Sequence, residues 1–315
     1  MTERIPNTQP AEWPTPRADR FAACIQAHGS EGCQLALLGL PDDTGVRLNG
    51  GRPGAAHGPK GLRAALATYG TPWDIEQARE LDVRVFDAGD VVPAAGQGSE
   101  SLLATHARVE QAVLELHARG LLPICIGGGH DLSFPTISAL GKHLGRGVGG
   151  INFDAHLDVR QRVGSGMPFR RLIEAGFLEP ARFVEFGLGR FVNDRSDIEW
   201  LRAQGATLIS AERVRREGLG FTALHPICFG AGPGFLSVDL DGLDSAQMAA
   251  VSALNPEGLP VATLSALVEA AGADPRVQQF DMMELAPELD ASGRGVRVAA
   301  HVLLCFIAGF TRRAQ

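Results

Sequence analysis

The stretch GGINFDAHLDVR, residues 149–160, closes an apolar run in a way that packing alone does not require. Asp154, His156 and Asp158 stand at alternate positions just beyond Phe153. Alternate side chains of an extended chain share a face, so these three can point into one pocket. Other runs end alike. LLPICIGGG leads into His130-Asp131, FLSVDLD carries Asp239 and Asp241, and VQQFDMMEL closes on Asp281 and Glu284. Taken singly, a Gly-flanked His reads as a loop residue, and Asp-Leu-Asp as a cap or turn. Together, four carboxylates and two imidazoles in one place need compensating cations, because uncompensated buried charge is prohibitive. Hard carboxylate oxygens with imidazole and no thiolate suit Mn²⁺ better than Zn²⁺. Two such ions close together would share a water and lower its pKa, giving hydroxide near neutral pH.

Strand-like runs must carry these groups. Eight are legible: residues 33–40, 81–89, 121–129, 148–154, 182–189, 206–210, 235–241 and 277–285. Continuous apolar runs suit strands covered on both faces. Between them lie helical patterns such as ESLLATHARVEQAVLELHARG, PKGLRAALATY, RSDIEWLRAQG, VATLSALVEAAGA and VRVAAHVLLCFIAGF. Alternating strand and helix signals predict right-handed βαβ units and a parallel sheet. Ligands of such sheets bind outside the carboxyl ends of the strands, where all these motifs fall. The expectation is one α/β domain over residues 1–315, with residues 1–32 as an N-terminal arm and helix. The Pro-rich opening, MTERIPNTQPAEWPTPR, is expected to be a loose arm.

The 315 residues are 45% apolar and 21% charged, as in soluble globular proteins. A net charge of −7 argues against nucleic acid and against an anionic membrane surface as partners. No apolar run reaches the roughly 18–20 residues of a membrane span. The opening residues have no apolar segment of the kind a secretory signal needs. Five scattered cysteines with no C-x-x-C pair predict free thiols in a reducing cytoplasm. IGGGHD lacks both the G-x-G-x-x-G pattern and the Gly-Lys-Ser/Thr ending of nucleotide loops.

GGGHD, FDAHLD and SVDLDGLD resemble the signature motifs of the ureohydrolases, the family of arginase, agmatinase and formimidoylglutamase. The resemblance runs from about residue 36 to 310. It implies a three-layer α/β/α arginase-like fold with a parallel sheet of about eight strands, two Mn²⁺ per chain, and commonly a homo-oligomer. By motif, His130, Asp154, Asp158 and Asp239 would bind one ion. Asp154, His156, Asp239 and Asp241 would bind the other, with Asp154 and Asp239 bridging. Glu284 resembles the family's acid that binds the amidine or guanidine nitrogen, and Asp158 is expected to carry a proton to the leaving amine. DDTGVRLNGGRPGAAHGPKGLRAAL, GSGMPFRRLI and FGLGRFVND resemble formimidoylglutamase segments, the last of them placing Asn193 among the expected substrate-binding residues. Ser165 stands where arginases and agmatinases usually carry a His. Departures from the formimidoylglutamase pattern fall at Ala249-Ala250, Asp131 and Met167, and none removes a ligand.

Charge bears independently on the substrate. VRQRVGSGMPFRRL contains Arg160, Arg162, Arg170 and Arg171 and no acid, and Arg190 follows the next run. Guanidinium forks match carboxylates and would repel an ammonium. The expected substrate is therefore a small anionic amidine, N-formimidoyl-L-glutamate, bound by Arg160, Arg170, Arg171, Arg190 and Asn193. The alternatives are another ureohydrolase acting on a guanidino compound, and a metal-binding homologue without turnover. A deacetylase with one open Zn²⁺ fits less well, because the second Asp of SVDLD favours two metals.

Overall fold

The computed structural model describes residues 4–15, 19–75 and 77–313; residues 1–3 and 16–18, where the loose arm was expected, lie outside the described residues. The strands are β1 (Thr8–Gln9), β2 (Ile25–Gln26), β3 (Leu35–Leu40), β4 (Trp73–Asp74), β5 (Arg79–Glu80), β6 (Val85–Val91), β7 (Leu122–Gly127), β8 (Val148–Phe153), β9 (Leu178–Leu188), β10 (Thr207–Ser210), β11 (Gly234–Asp239) and β12 (Val277–Met283). Apart from the small β4–β5 hairpin, they form one sheet in the order β1-β6-β3-β7-β12-β11-β8-β9-β10, with β2 also on β6. Every pairing in it is parallel except β1 on β6. The eight long strands coincide with the eight apolar runs. In β3, β7, β8 and β11 every residue is buried, as strands covered on both faces require.

The helices are α1 (Thr44–Leu48), α2 (Gly58–Leu66), α3 (Ser99–Ala118), α4 (Ser133–Leu144), α5 (Pro168–Glu174), α6 (Arg195–Ala203), α7 (Ala211–Glu217), α8 (Phe221–Cys228), α9 (Val261–Ala273) and α10 (Arg294–Phe310). Apolar residues of α2, α7, α8, α9 and α10 pack on one face of the sheet. Those of α3, α4, α5 and α6 pack on the other, giving three layers.

Two expectations for the N-terminus are corrected. Instead of a loose arm, residues 4–15 are tied down: Thr8 and Gln9 pair with Val91 and Asp90, and Ile5 is buried. The Trp13 indole donates to Asp87. In place of a helix there is a single 3₁₀ turn, Phe21–Cys24, whose Phe21 joins the core. The apolar Ile5 and Phe21 and the indole N–H of Trp13 find partners only across the fold, so no local periodicity announces them.

The strand order matters for function. β7, β12, β11 and β8 are consecutive neighbours at the centre of the sheet. Their carboxyl ends therefore lie side by side, and these are the ends that carry His130, Glu284, Asp239 and Asp154.

Candidate metal centre

Each functional side chain sits at the first turn beyond a strand. Behind β7, the glycines let the chain leave the sheet against its neighbours: a Cβ on Gly128 would lie 1.8 Å from the Asp42 carbonyl oxygen. His130 then opens a 3₁₀ turn. Asp154 follows β8, Asp239 ends β11 and Glu284 follows β12. Asp158 and Glu284 adopt positive φ, 47° and 67°, which non-glycine residues rarely do. Such strain is held in place by tertiary contacts and clusters at functional sites. For Glu284 the contacts are explicit: its N–H donates to the Gly128 carbonyl at 2.9 Å, and its Oε1 accepts from the His130 N–H at 3.0 Å.

The ligand atoms converge. His130 Nδ1 lies 3.2 Å from Asp154 Oδ2, 2.9 Å from Asp158 Oδ2 and 3.2 Å from Asp239 Oδ2. His156 Nδ1 lies 3.4 Å from Asp154 Oδ1 and 3.3 Å from Asp241 Oδ2. Two sets result, His130–Asp154–Asp158–Asp239 and Asp154–His156–Asp241, with the ligand atoms of each within 4.8 Å of one another. Asp154 belongs to both sets. Asp239, expected to bridge as well, joins only the first; its Oδ1 instead accepts from the Asp241 N–H at 2.8 Å.

Electrostatics show what this arrangement lacks. Burial pushes Asp239 well above the ordinary carboxylate range, with Asp241 and Asp154 adding to the effect. It raises Glu284 as well, reinforced by Asp239, and lifts Asp241 to about 7. Burial would raise Asp154 too, but hydrogen bonds from His130 and His156 hold it low. Burial alone would depress His130; the carboxylates of Asp154, Asp158 and Asp239 close to its Nδ1 overcome it and hold the imidazole well above its usual value. Carboxyls raised in this way mark a pocket that favours cations. Although surrounded by carboxylates, His130 Nδ1 makes no aligned hydrogen bond, and Asp241 Oδ1 and Glu284 Oε2 have no partner either. Buried polar atoms are seldom left so unless an ion or ligand completes them. Oxygen-rich sets with one imidazole each fit Mn²⁺.

A cavity of about 190 Å³ opens over the centre, lined among others by Asn49, His156, Asp158, Arg160, Ser165, Ser252 and Glu284. Ser165 Oγ accepts from Asn49 Nδ2 at 2.9 Å. Arg160 is the cation in this lining. Three other expected substrate residues are placed elsewhere. Arg170 is buried: it donates to the Val159 carbonyl at 2.6 Å and stacks 3.9 Å over Trp200. Arg171, on α5, does not line the cavity. Arg190 is exposed and sits over Phe191, 5.1 Å from the ring. Asn193 also works away from the cavity, clamping the metal loop: it accepts from the Leu157 N–H at 2.9 Å and donates to the Ala155 carbonyl at 2.9 Å. α5 starts at Pro168 and turns its arginines away from the cavity, which a count of charges along the chain does not register. Asn49 and Ser252 join the lining with no local signal of their own, although Asn49 stands inside the segment DDTGVRLNGGRPGAAHGPKGLRAAL.

Comparison with known proteins bears on the whole chain. The arginase family model matches residues 33–309. A formimidoylglutamase of Halobacterium salinarum is 34% identical over 93% of this chain and 95% of its own. A guanidinopropionase of Pseudomonas aeruginosa is 32% identical over 89% of each. Among solved structures, a Trypanosoma cruzi formiminoglutamase with Mn²⁺₂ superposes with a TM-score of 0.87 at 32% identity, covering 94% of this chain and 99% of that one.

Proposed function

The chain belongs to the arginase family, and from that premise we propose that it is a binuclear manganese hydrolase converting N-formimidoyl-L-glutamate and water to L-glutamate and formamide. The observation that carries the reading is the pair of ligand sets sharing Asp154 beneath a cavity that presents Glu284 and Arg160. Support comes from the formimidoylglutamases at 34% and 32% identity and from the manganese in the Trypanosoma cruzi structure.

His130, Asp154, Asp158 and Asp239 would hold one Mn²⁺, and Asp154, His156 and Asp241 the other. Bound, the pair supplies an acidified water and a Lewis-acid surface for developing charge. The chain's own groups do the rest. Glu284, its Oε1 fixed by the His130 N–H, turns the unpartnered Oε2 toward the amidinium nitrogen. Arg160 holds a substrate carboxylate, and Ser165 and Asn49 form a polar wall. Water adds to the formimidoyl carbon, the bond to the glutamate nitrogen breaks, and Asp158 delivers a proton to that leaving amine. Asn193 keeps the loop carrying His156 and Asp158 in register.

One observation favours a second reading. Among the described residues the cavity lining offers one arginine and no lysine, Arg160, which also suits a guanidino acid with one carboxylate, and a guanidinopropionase is among the relatives. A panel of formimidoylglutamate, guanidinopropionate, guanidinobutyrate, agmatine and arginine, assayed with Mn²⁺, decides between them. The highest kcat/KM is expected for formimidoylglutamate; a preference for agmatine or arginine overturns the anionic-substrate reading. Asp154→Ala is expected to abolish turnover and leave fewer than two manganese ions per chain by elemental analysis.

Among the described residues no helix is long and apolar enough to cross a membrane. A cytoplasmic location belongs to the same proposal, supported by five unpaired cysteines. So does a homo-oligomer, which the family resemblance implies and light scattering on the purified protein tests.

A further inference from the structure

The face of His130 turned away from the cavity leads into a run of buried polar side chains that the reaction does not use. His130 Nε2 lies 3.0 Å from Ser237 Oγ, and Ser237 Oγ lies 3.2 Å from Ser133 Oγ. The Ser133 side chain in turn helps to hold the Asp281 carboxyl down against the effect of burial, which places its hydroxyl beside that carboxylate. Asp281 also accepts from Thr136 Oγ1 at 2.5 Å and from Gln279 Nε2 at 2.7 Å. Gln279 Oε1 faces His117 Nε2 at 3.1 Å, and the His117 ring stacks on exposed His143 with centroids 5.1 Å apart. Ser133, Thr136, Ser237, Gln279 and Asp281 are all fully buried. Apolar side chains would fill this space at lower cost, since every polar group here had to be desolvated and then satisfied.

The run has one consistent direction. Burial lifts Asp281 only to about 6, so at neutral pH it is ionised and accepts hydrogen bonds without donating any. Ser133 must then donate to Asp281, Ser237 to Ser133, and His130 Nε2–H to Ser237. With one proton committed to Nε2, the proton that a metal would displace is the one on Nδ1, and the lone pair then presented lies on the atom facing Asp154, Asp158 and Asp239. From the far side Gln279 donates into the same carboxylate while accepting from His117. Two donor chains thus end on Asp281, one starting at the metal centre and one just below the surface.

We propose that Asp281 is the positioning residue for His130, setting its tautomer and ring orientation through Ser133 and Ser237, and that Gln279 and His117 fix Asp281 from behind. The proposal rests on the reading of His130 as a metal ligand. It assigns a role to side chains up to α3, on the far side of the sheet from α10, that touch neither ion nor substrate.

The test follows manganese release from the loaded enzyme by chelator competition, with ions counted by elemental analysis. Asp281→Asn, whose amide can donate back towards Ser133, is expected to weaken one of the two ions about 10- to 100-fold and leave the other unchanged. With manganese saturating, KM should stay at the wild-type value. Ser237→Ala should reproduce that loss, and the double variant should be no worse than either single, because both cut one chain. Gln279→Met, which keeps Asp281 and removes its rear support, should give a smaller loss of the same ion. If Asp281→Asn does not fold, Ser237→Ala and Gln279→Met carry the test. Wild-type affinity in both single variants, or additive losses in the double, overturns the relay. His130→Ala separates the two readings: if it keeps both ions the metal assignment has failed, and if it loses one while Ser237→Ala and Asp281→Asn bind as wild type, only the relay has failed.

Discussion

Arg160 and Arg170 stand in one acid-free stretch and look alike in the sequence, yet the fold gives them opposite work. Arg160 lines the cavity over the ligand sets. A charge-assisted contact to a substrate carboxylate contributes roughly 1.5–3 kcal/mol, so Arg160→Ala should cost about 10- to 100-fold in kcat/KM for formimidoylglutamate. It should cost little for formamidine, which has no carboxylate to lose, and Arg160→Lys should recover only part because the fork is gone. Arg170→Ala should do the reverse. Its loss strips a hydrogen bond from the Val159 carbonyl and a stacked guanidinium from Trp200. The expected cost is about 2–3 kcal/mol in denaturant unfolding, with kcat/KM nearly unchanged for both substrates. Equal losses on the two substrates for Arg160→Ala would return that arginine to a structural role. The clustering of His130, Asp154, His156, Asp158, Asp239 and Asp241 was legible because their types and two-residue spacing at strand ends have few other uses. Which arginine lines the cavity was not, because an arginine's direction depends on how its helix or loop is seated, and nothing local encodes that.

Among the elements, the eight longer strands were readable because burial leaves near-continuous apolar runs, clearest in β3, β7, β8 and β11, where every residue is buried. Apart from the twelve-residue α4, the pieces that escaped are too short to show a period. α1, α5, α7 and α8 span at most eight residues, and β1 and β2 two each. Their existence depends on tertiary partners, as when β1 pairs with the edge of β6. Polar residues inside strands were equally silent: Gln279 in β12 interrupts an apolar run without indicating that it reaches α3. That contact has a measurable consequence. Burial and the neighbouring His143 depress His117 to about 4, below the usual 6.5 of an imidazole. The unfolded chain therefore binds the proton more tightly, and stability rises with pH from about 4 to 6.5. By that linkage the His117 contribution should fall by roughly 2 kcal/mol between pH 7 and pH 5. Urea unfolding at both pH values checks this against His117→Gln, which retains an amide for Gln279. The variant should show a shallower loss on acidification; an identical pH slope in the two proteins removes His117 as its source.

At the scale of the whole molecule, the centre is a local liability that only cations relieve. Asp154, Asp239, Asp241 and Glu284 are buried within one cluster, and burial pushes three of them upward in pKa, the mark of anions held where they are disfavoured. The sheet tolerates this because the surrounding strands β7, β8, β11 and β12 are pinned on both faces by helices. Anything that binds the folded state and not the unfolded one stabilises by mass action, about 2.7 kcal/mol for one site at a hundredfold excess over Kd. Manganese should therefore raise the melting temperature of chelator-stripped protein, on the order of 5 °C for the first site filled at that excess, with a further increment for the second. Calorimetry at increasing Mn²⁺ should show the midpoint climbing with the logarithm of free ion once both sites are occupied. Asp154→Ala, which removes the residue common to both sets, should lose most of that climb, and its stripped form should melt lower than the wild type's, because the His156 N–H and the two imidazoles lose the carboxylate beside them. A stripped wild-type protein whose midpoint ignores Mn²⁺, with ion binding verified in parallel, would mean that the carboxylates are already satisfied without metal, and the two ligand sets would then have to be read as a proton-sharing core.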